Sequence, residues 1–113
     1  MVNIEREIDK LSAPFDEIPN ESLQPGGKSE SELARQWVYY DRPDFTAYYL
    51  KRATDLSKAD KINILADAFK ETSKHQATLA QTLIESTGTD AGFLEQARIN
   101  LKKATDLREN LAS

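Results

Sequence analysis

Three of the chain's four prolines and two of its four glycines fall between residues 13 and 28, in APFDEIPNESLQPGGK, and this crowding limits how the 113 residues can fold. Proline lacks a backbone N–H and clashes with the preceding turn, and glycine carries the largest backbone entropy, so no helix runs through such a segment. It reads as one long irregular connection, either laid across the rest of the protein by Phe15, Ile18 and Leu23 or partly mobile. On both sides of it the apolar residues recur at helical spacing.

Ile4, Ile8 and Leu11, spaced by four and three, share one face of a short helix over 2–12. Ser29 with Glu32 has the form of a capping box, in which each side chain satisfies an orphan backbone donor, and opens a second helix over 29–40. Asp41 and Pro43 mark a new start. Proline is tolerated in a first helical turn, and Asp41 or Asp44 can cap, so a third helix is expected over 42–56. Ser57 with Asp60 repeats the cap signature for a long fourth helix over 58–86, joined to the third by a tight turn without glycine or proline. Gly88 suits the left-handed position that ends it, and Asp90 suits the N-cap of a fifth helix over 91–111. The expectation is an all-α fold: one domain over 1–113, a compact bundle of four to five helices with the irregular segment at 13–28.

With 39% hydrophobic and 30% charged residues, the composition is that of a globular protein with one modest core. No apolar run reaches the roughly 18 residues of a membrane span. MVNIEREIDK carries charges where a signal peptide needs an apolar stretch, so a cytoplasmic location and no membrane partner are expected. Asn20-Glu21-Ser22 fits a glycosylation sequon, which without a secretory signal is expected to be a chance match. The absence of cysteine and the single histidine exclude disulfides, thiolate metal sites, cysteine nucleophiles and multi-histidine metal sites within one chain. Residues 1–32 carry eight acids against three bases, and 33–113 eleven against twelve, so the net charge of −4 belongs to the N-terminal third. No basic run is longer than Lys51-Arg52 or Lys102-Lys103, and no nucleic-acid partner is expected.

LKRATDL at 50–56 and LKKATDL at 101–107 differ at one position, 51 residues apart. The echo is either a worn duplication of a helical hairpin or convergence on a good amphipathic helix. It supplies no functional residue.

Six of the nine aromatic residues lie in WVYYDRPDFTAYYL, residues 37–50. At about 100° per residue, Leu33, Ala34, Trp37 and Val38 share an arc of the second helix, with Tyr40 at its margin and Tyr39 on the far side. In the third helix Phe45, Tyr49, Ala53 and Leu56 share an arc that Leu50 extends, and Tyr48 lies off it. Trp37, Phe45 and Tyr49 are therefore expected as the anchor of a helical hairpin. Tyr39 and Tyr48 are expected to face outward, either covered by the long loop or forming a recognition surface with Arg42 and Arg52, tyrosine and arginine being enriched in interface hot spots.

In the fourth helix the core-facing stripe turns polar at Thr72, Ser73 and Gln76, which must be hydrogen-bonded or partly exposed, the irregular loop being one source of partners. Asp67 and Glu71, flanked by Lys70 and Lys74, form a solvated charged face. Gly26-Gly27-Lys28-Ser29 lacks the upstream glycine of a phosphate loop. His75 lies off the core arc beside Lys74, in ETSKHQATLAQ, and this segment resembles histidine phosphotransfer domains, small acidic helical bundles whose exposed histidine relays phosphate. That family follows the histidine with a lysine and then a glycine, where this chain has Thr78 and Leu79. No catalytic constellation and no cofactor site are visible. The expectation is a non-enzymatic helical protein acting by protein–protein interaction, as an adaptor, regulatory or immunity-like factor. Its candidate partner surface is Tyr39, Tyr48, Arg42 and Arg52, its partner another protein or a second copy, and the alternative is phosphotransfer through His75.

Overall fold

The computed structural model describes residues 3–15 and 29–112, with side chains as far as Glu109. Five α-helices run in order: α1 (Ile4–Ser12), α2 (Glu30–Trp37), α3 (Pro43–Arg52), α4 (Lys58–Thr87) and α5 (Phe93–Ala112), with a 3-10 turn over Ala13–Phe15. The described residues form an all-α bundle. Residues 16–28, including Ile18, Leu23, the sequon and the diglycine of the expected long connection, lie outside the described residues.

Caps account for four of the ten helix boundaries. Asn3 accepts from the Arg6 amide at 3.2 Å and Ser29 from the Glu32 amide at 3.3 Å. Ser57 and Asp60 complete a reciprocal box at 3.1 and 3.4 Å. Gly88 ends α4 at φ 80°, where a side chain would be strained. Three boundaries differ from expectation. α2 stops at Trp37, and the chain continues through a turn to Asp41, whose φ of 59° makes a left-handed corner instead of a cap. α3 ends at Arg52, because Ala53 turns extended and Asp55 is drawn to the Ser31 hydroxyl at 3.1 Å. α5 begins at Phe93, after Asp90 folds its carboxylate back onto the Gly92 amide at 2.9 Å.

α3 is the centre. α1 and α2 pack along it and α4 crosses it, so Thr46, Ala47, Tyr48, Tyr49 and Leu50 are all buried. Five successive residues sample the whole circumference of a helix, so the middle of α3 is covered on every side, its one polar side chain there being Thr46. Ile4 and Ile8 of α1, Leu33, Ala34 and Val38 of α2, and Ile62, Leu65 and Phe69 of α4 close around it. Leu11, expected on the apolar face of α1, is only partly buried, and Ser12 takes the fully buried place, its hydroxyl turned to the Asp9 carbonyl.

α4 pairs antiparallel with α5, Asp67 meeting Arg108 at one end and Ser73 meeting Ala97 further along. Ser73 and Ala80 of α4, and Ala97 and Ala104 of α5, are buried in the seam, seven residues apart on each helix. Such small side chains let two helices approach closely. With 30 residues α4 is about 45 Å long at 1.5 Å per residue, close to the 46 Å longest extent of the molecule. The central core reaches only to Phe69 in α4 and back from Ala104 in α5, so the remainder of the pair extends beyond it as a two-helix arm.

LKRATDL and LKKATDL fold differently. In the first, Ala53 to Leu56 leave the helix through a bend at Thr54 and Asp55, and in the second the same four residue types lie inside α5. The Thr46 hydroxyl is buried with no partner among the described residues. An unpaired buried hydroxyl carries an uncompensated desolvation cost, so Thr46→Val is expected to stabilise the fold by about 1 kcal/mol, measured by urea denaturation.

Candidate interaction surface

The turn between α2 and α3 forms an aromatic corner. Phe15 stacks on Phe45 with centroids 4.6 Å apart, Phe45 meets Trp37 at 4.9 Å, and Trp37 meets Tyr40 edge-on at 5.5 Å. Trp37 and Phe45 thus meet across the turn as expected, and Tyr49 is buried beneath. Burial pushes the Tyr49 phenol above its ordinary value, and the neighbouring Tyr48 adds to that shift. The row of rings runs outward to Tyr40, which is 58% exposed, and the adjacent Tyr39 is 64% exposed.

The four residues expected to make the surface separate into two pairs. Tyr39 and Arg42 lie at this corner, both exposed. Arg42 grips Asp44 through two hydrogen bonds of 3.0 and 3.1 Å and lies 4.3 Å from the centre of the Phe45 ring. Tyr48 is the correction. Instead of facing outward it is completely buried, because Phe15 packs edge-on to its ring at 6.4 Å and Tyr49 at 5.1 Å. Arg52 belongs with it: the guanidinium lies 3.7 Å over the Tyr48 ring and donates to the Tyr48 carbonyl at 3.2 Å. Tyr48 and Arg52 therefore hold α3 in place and lie off the exposed corner.

Two members of the corner escaped the sequence reading. Tyr40, assigned to the margin of the buried arc, is exposed because α2 ends before it and the turn swings it out. Asp41, expected as a cap, instead points its carboxylate at His75 Nδ1, 2.5 Å away across to α4. No local signal announces either one, since a helix end and a contact spanning 34 residues are both decided by packing. Beside Tyr39 a shallow cleft of about 170 Å³ is lined by Arg35, Val38, Ile64 and Asp67. Asp67 is held there by Arg108 from α5.

The polar middle of α4 is satisfied from α5. Ser73 donates to the Ala97 carbonyl at 2.6 Å, Gln76 donates to Gln96 at 3.1 Å, and Asn100 donates to Gln76 at 2.8 Å. Within this stripe the Thr72 hydroxyl is left buried without a partner among the described residues, as Thr46 is in α3. Among those residues, no group of three or more His, Cys, Asp or Glu is placed to hold a metal ion, and no helix is long and apolar enough to cross a membrane.

Two consequences can be measured. Tyr48→Ala is expected to cost about 3–5 kcal/mol, as for other buried aromatics, and Tyr39→Ala less than about 0.5 kcal/mol, by chemical denaturation. A phenol that holds its proton more tightly when folded contributes fully below its ordinary value of about 10, and that contribution is lost as pH rises through the folded value. Melting temperature should therefore fall above about pH 10, and fall less in Tyr49→Phe. Compared with known proteins, the chain matches no family model, no curated sequence and no solved structure.

Proposed function

We propose that the chain acts by binding another protein, as an adaptor, regulatory or immunity-like factor, through the corner that carries Tyr39, Tyr40 and Arg42. The observation that carries this reading is a pair of adjacent exposed tyrosines, one of which, Tyr40, is mounted on a row of half-buried rings. Tyr40 rests on Trp37, which rests on Phe45 and Phe15. Anchored aromatic side chains lose little freedom on binding and offer large apolar faces with a hydroxyl at the tip, the profile of interface hot spots. The left-handed Asp41, tied to α4 by His75, supports the corner from beneath.

The reading is non-enzymatic, and a cytoplasmic setting fits a chain without cysteine. Phosphotransfer at His75 draws less support. Phosphoryl transfer to an imidazole needs neighbouring positive charge, whereas Nδ1 of His75 faces the Asp41 carboxylate and the adjacent Lys74 is turned to Glu71 at 3.5 Å.

The double variant Tyr39→Ala/Tyr40→Ala tests the reading. It is expected to keep its helicity and melting temperature while losing the partner that the unaltered chain retains in affinity capture from its native cell. Unchanged capture by the folded variant removes the corner from the binding surface.

A further inference from the structure

The arm formed by α4 and α5 is apolar over a wider arc than two helices can cover. Its seam is filled by Ser73, Ala80, Ala97 and Ala104. Beside the seam lie Ala77 and Ile84 on α4, and Leu94 and Leu101 on α5, each pair seven residues apart. Ala77 and Ile84 are turned about 40–60° from Ala80, and Leu94 and Leu101 about 40–60° from Ala97, at 100° per residue. Because the helices are antiparallel, these offsets bring all four to one side of the arm, opposite the Gln76, Gln96 and Asn100 network. Ile84 is 39% exposed, Leu94 48% and Leu101 50%. A second apolar column at heptad spacing, flanking a filled seam, is the pattern of a helix that packs against more than one neighbour.

Charge along the arm says which neighbour fits. Between Thr78 and Ala97, at the tip, the charged side chains are Glu85, Asp90 and Glu95, all acidic. At the base, over residues 70–77 and 98–103, Lys70, Lys74, Arg98, Lys102 and Lys103 face the single acid Glu71. The local pairs of Lys74 with Glu71, Arg98 with Glu95 and Lys102 with Asp106 lie at the surface, and with Asp106 counted the base still carries five cations against two acids. An arm acidic at one end and basic at the other is complementary to itself when reversed.

We propose that this face pairs two copies of the chain, arm against arm and antiparallel, into a four-helix bundle with the tip of each copy against the base of the other. The arrangement is isologous, as a two-fold dimer requires, and Leu94 and Leu101 of each copy pack on Ala77 and Ile84 of the other. A parallel pairing would set acidic tip on acidic tip. From residue 70 to residue 87 the arm is about 26 Å long and two helices wide, or about 500 Å² per copy, near the lower limit for a stable interface. The dimer therefore forms at concentrations on the order of tens of micromolar rather than nanomolar.

Sedimentation equilibrium of the full chain from about 5 to about 500 µM tests this, with the mass expected to rise from one copy to two across the range. Leu94→Glu/Leu101→Glu alters only exposed positions and is expected to weaken association by about tenfold or more with unchanged helicity. Glu85→Lys/Glu95→Lys should weaken it comparably while leaving the apolar face intact. A spin label on Thr89→Cys, in a chain with no other cysteine, should report tips about 25 Å or more apart. A monomer throughout the range overturns the proposal, as does a dimer that survives both double variants, or tips within about 15 Å of each other. A dimer broken by Tyr39→Ala/Tyr40→Ala and unaffected by the arm variants would assign self-association to the aromatic corner and overturn it too. A monomer whose arm face captures a different protein refutes the second copy as its occupant and leaves the corner's role standing.

Discussion

Tyr48 and its neighbours on α3 must be covered on every side, and the rest of the structure follows from that requirement. Thr46 to Leu50 are buried without interruption, so no single partner helix suffices. α1, only nine residues long, has too few hydrogen bonds to stand alone and is held by what it covers. Ile4 and Ile8 reach the core, Asp9 pairs with Lys51 of α3, and the 3-10 turn that follows lays Phe15 against both Phe45 and Tyr48. Arg52 closes the remaining side by stacking on the Tyr48 ring, a contact that places its charge at the surface and its plane over apolar carbon.

That enclosure explains why one aromatic cluster serves two ends. The rings of α3 are committed inward, and those at the end of α2 stand out because α2 stops at Trp37 and the chain must turn sharply to start α3 at Pro43. The turn is fixed by a left-handed aspartate, a conformation that few side chains other than Asp and Asn adopt readily. The same residue reaches α4 through His75, so the corner is braced against the long helix and not only against its own hairpin.

Beyond the core, α4 and α5 have only each other among the described elements that pack on them extensively. Small residues draw them together, and two of the three residues of the polar stripe that interrupts α4 are answered by α5: Ser73 by a main-chain carbonyl, and Gln76 by Gln96 and Asn100. The arm is thus specified by hydrogen bonds on one side and left with an open apolar column on the other. Its charge runs from acidic tip to basic root, which gives the open side a direction as well as a chemistry.

Features set within a few residues were legible in the sequence. The all-α class, the start of α4 at the Ser57 and Asp60 box, its end at Gly88, and the helix openings at Ser29 and Pro43 depend on caps and backbone preferences that act locally. The helical period also placed Trp37 against Phe45 correctly, because both lie on faces that meet across one short turn. It failed at Tyr48, since sorting by angle assumes a helix with one buried face, and α3 has none exposed along its middle. The partners of Ser73 and Gln76 were likewise invisible, lying some 20 residues away on another helix. The ATDL tetrapeptide marks the limit most plainly: it is helical within α5 and bends out of the helix after α3, where Asp55 meets Ser31 and Ser57 opens the next helix. The sequence by itself determined the helix starts at Ser29, Pro43 and Ser57 and the stop at Gly88, and tertiary structure alone decided where α2 and α3 end and which sides of the helices are covered, because burial belongs to neighbours that only folding brings together.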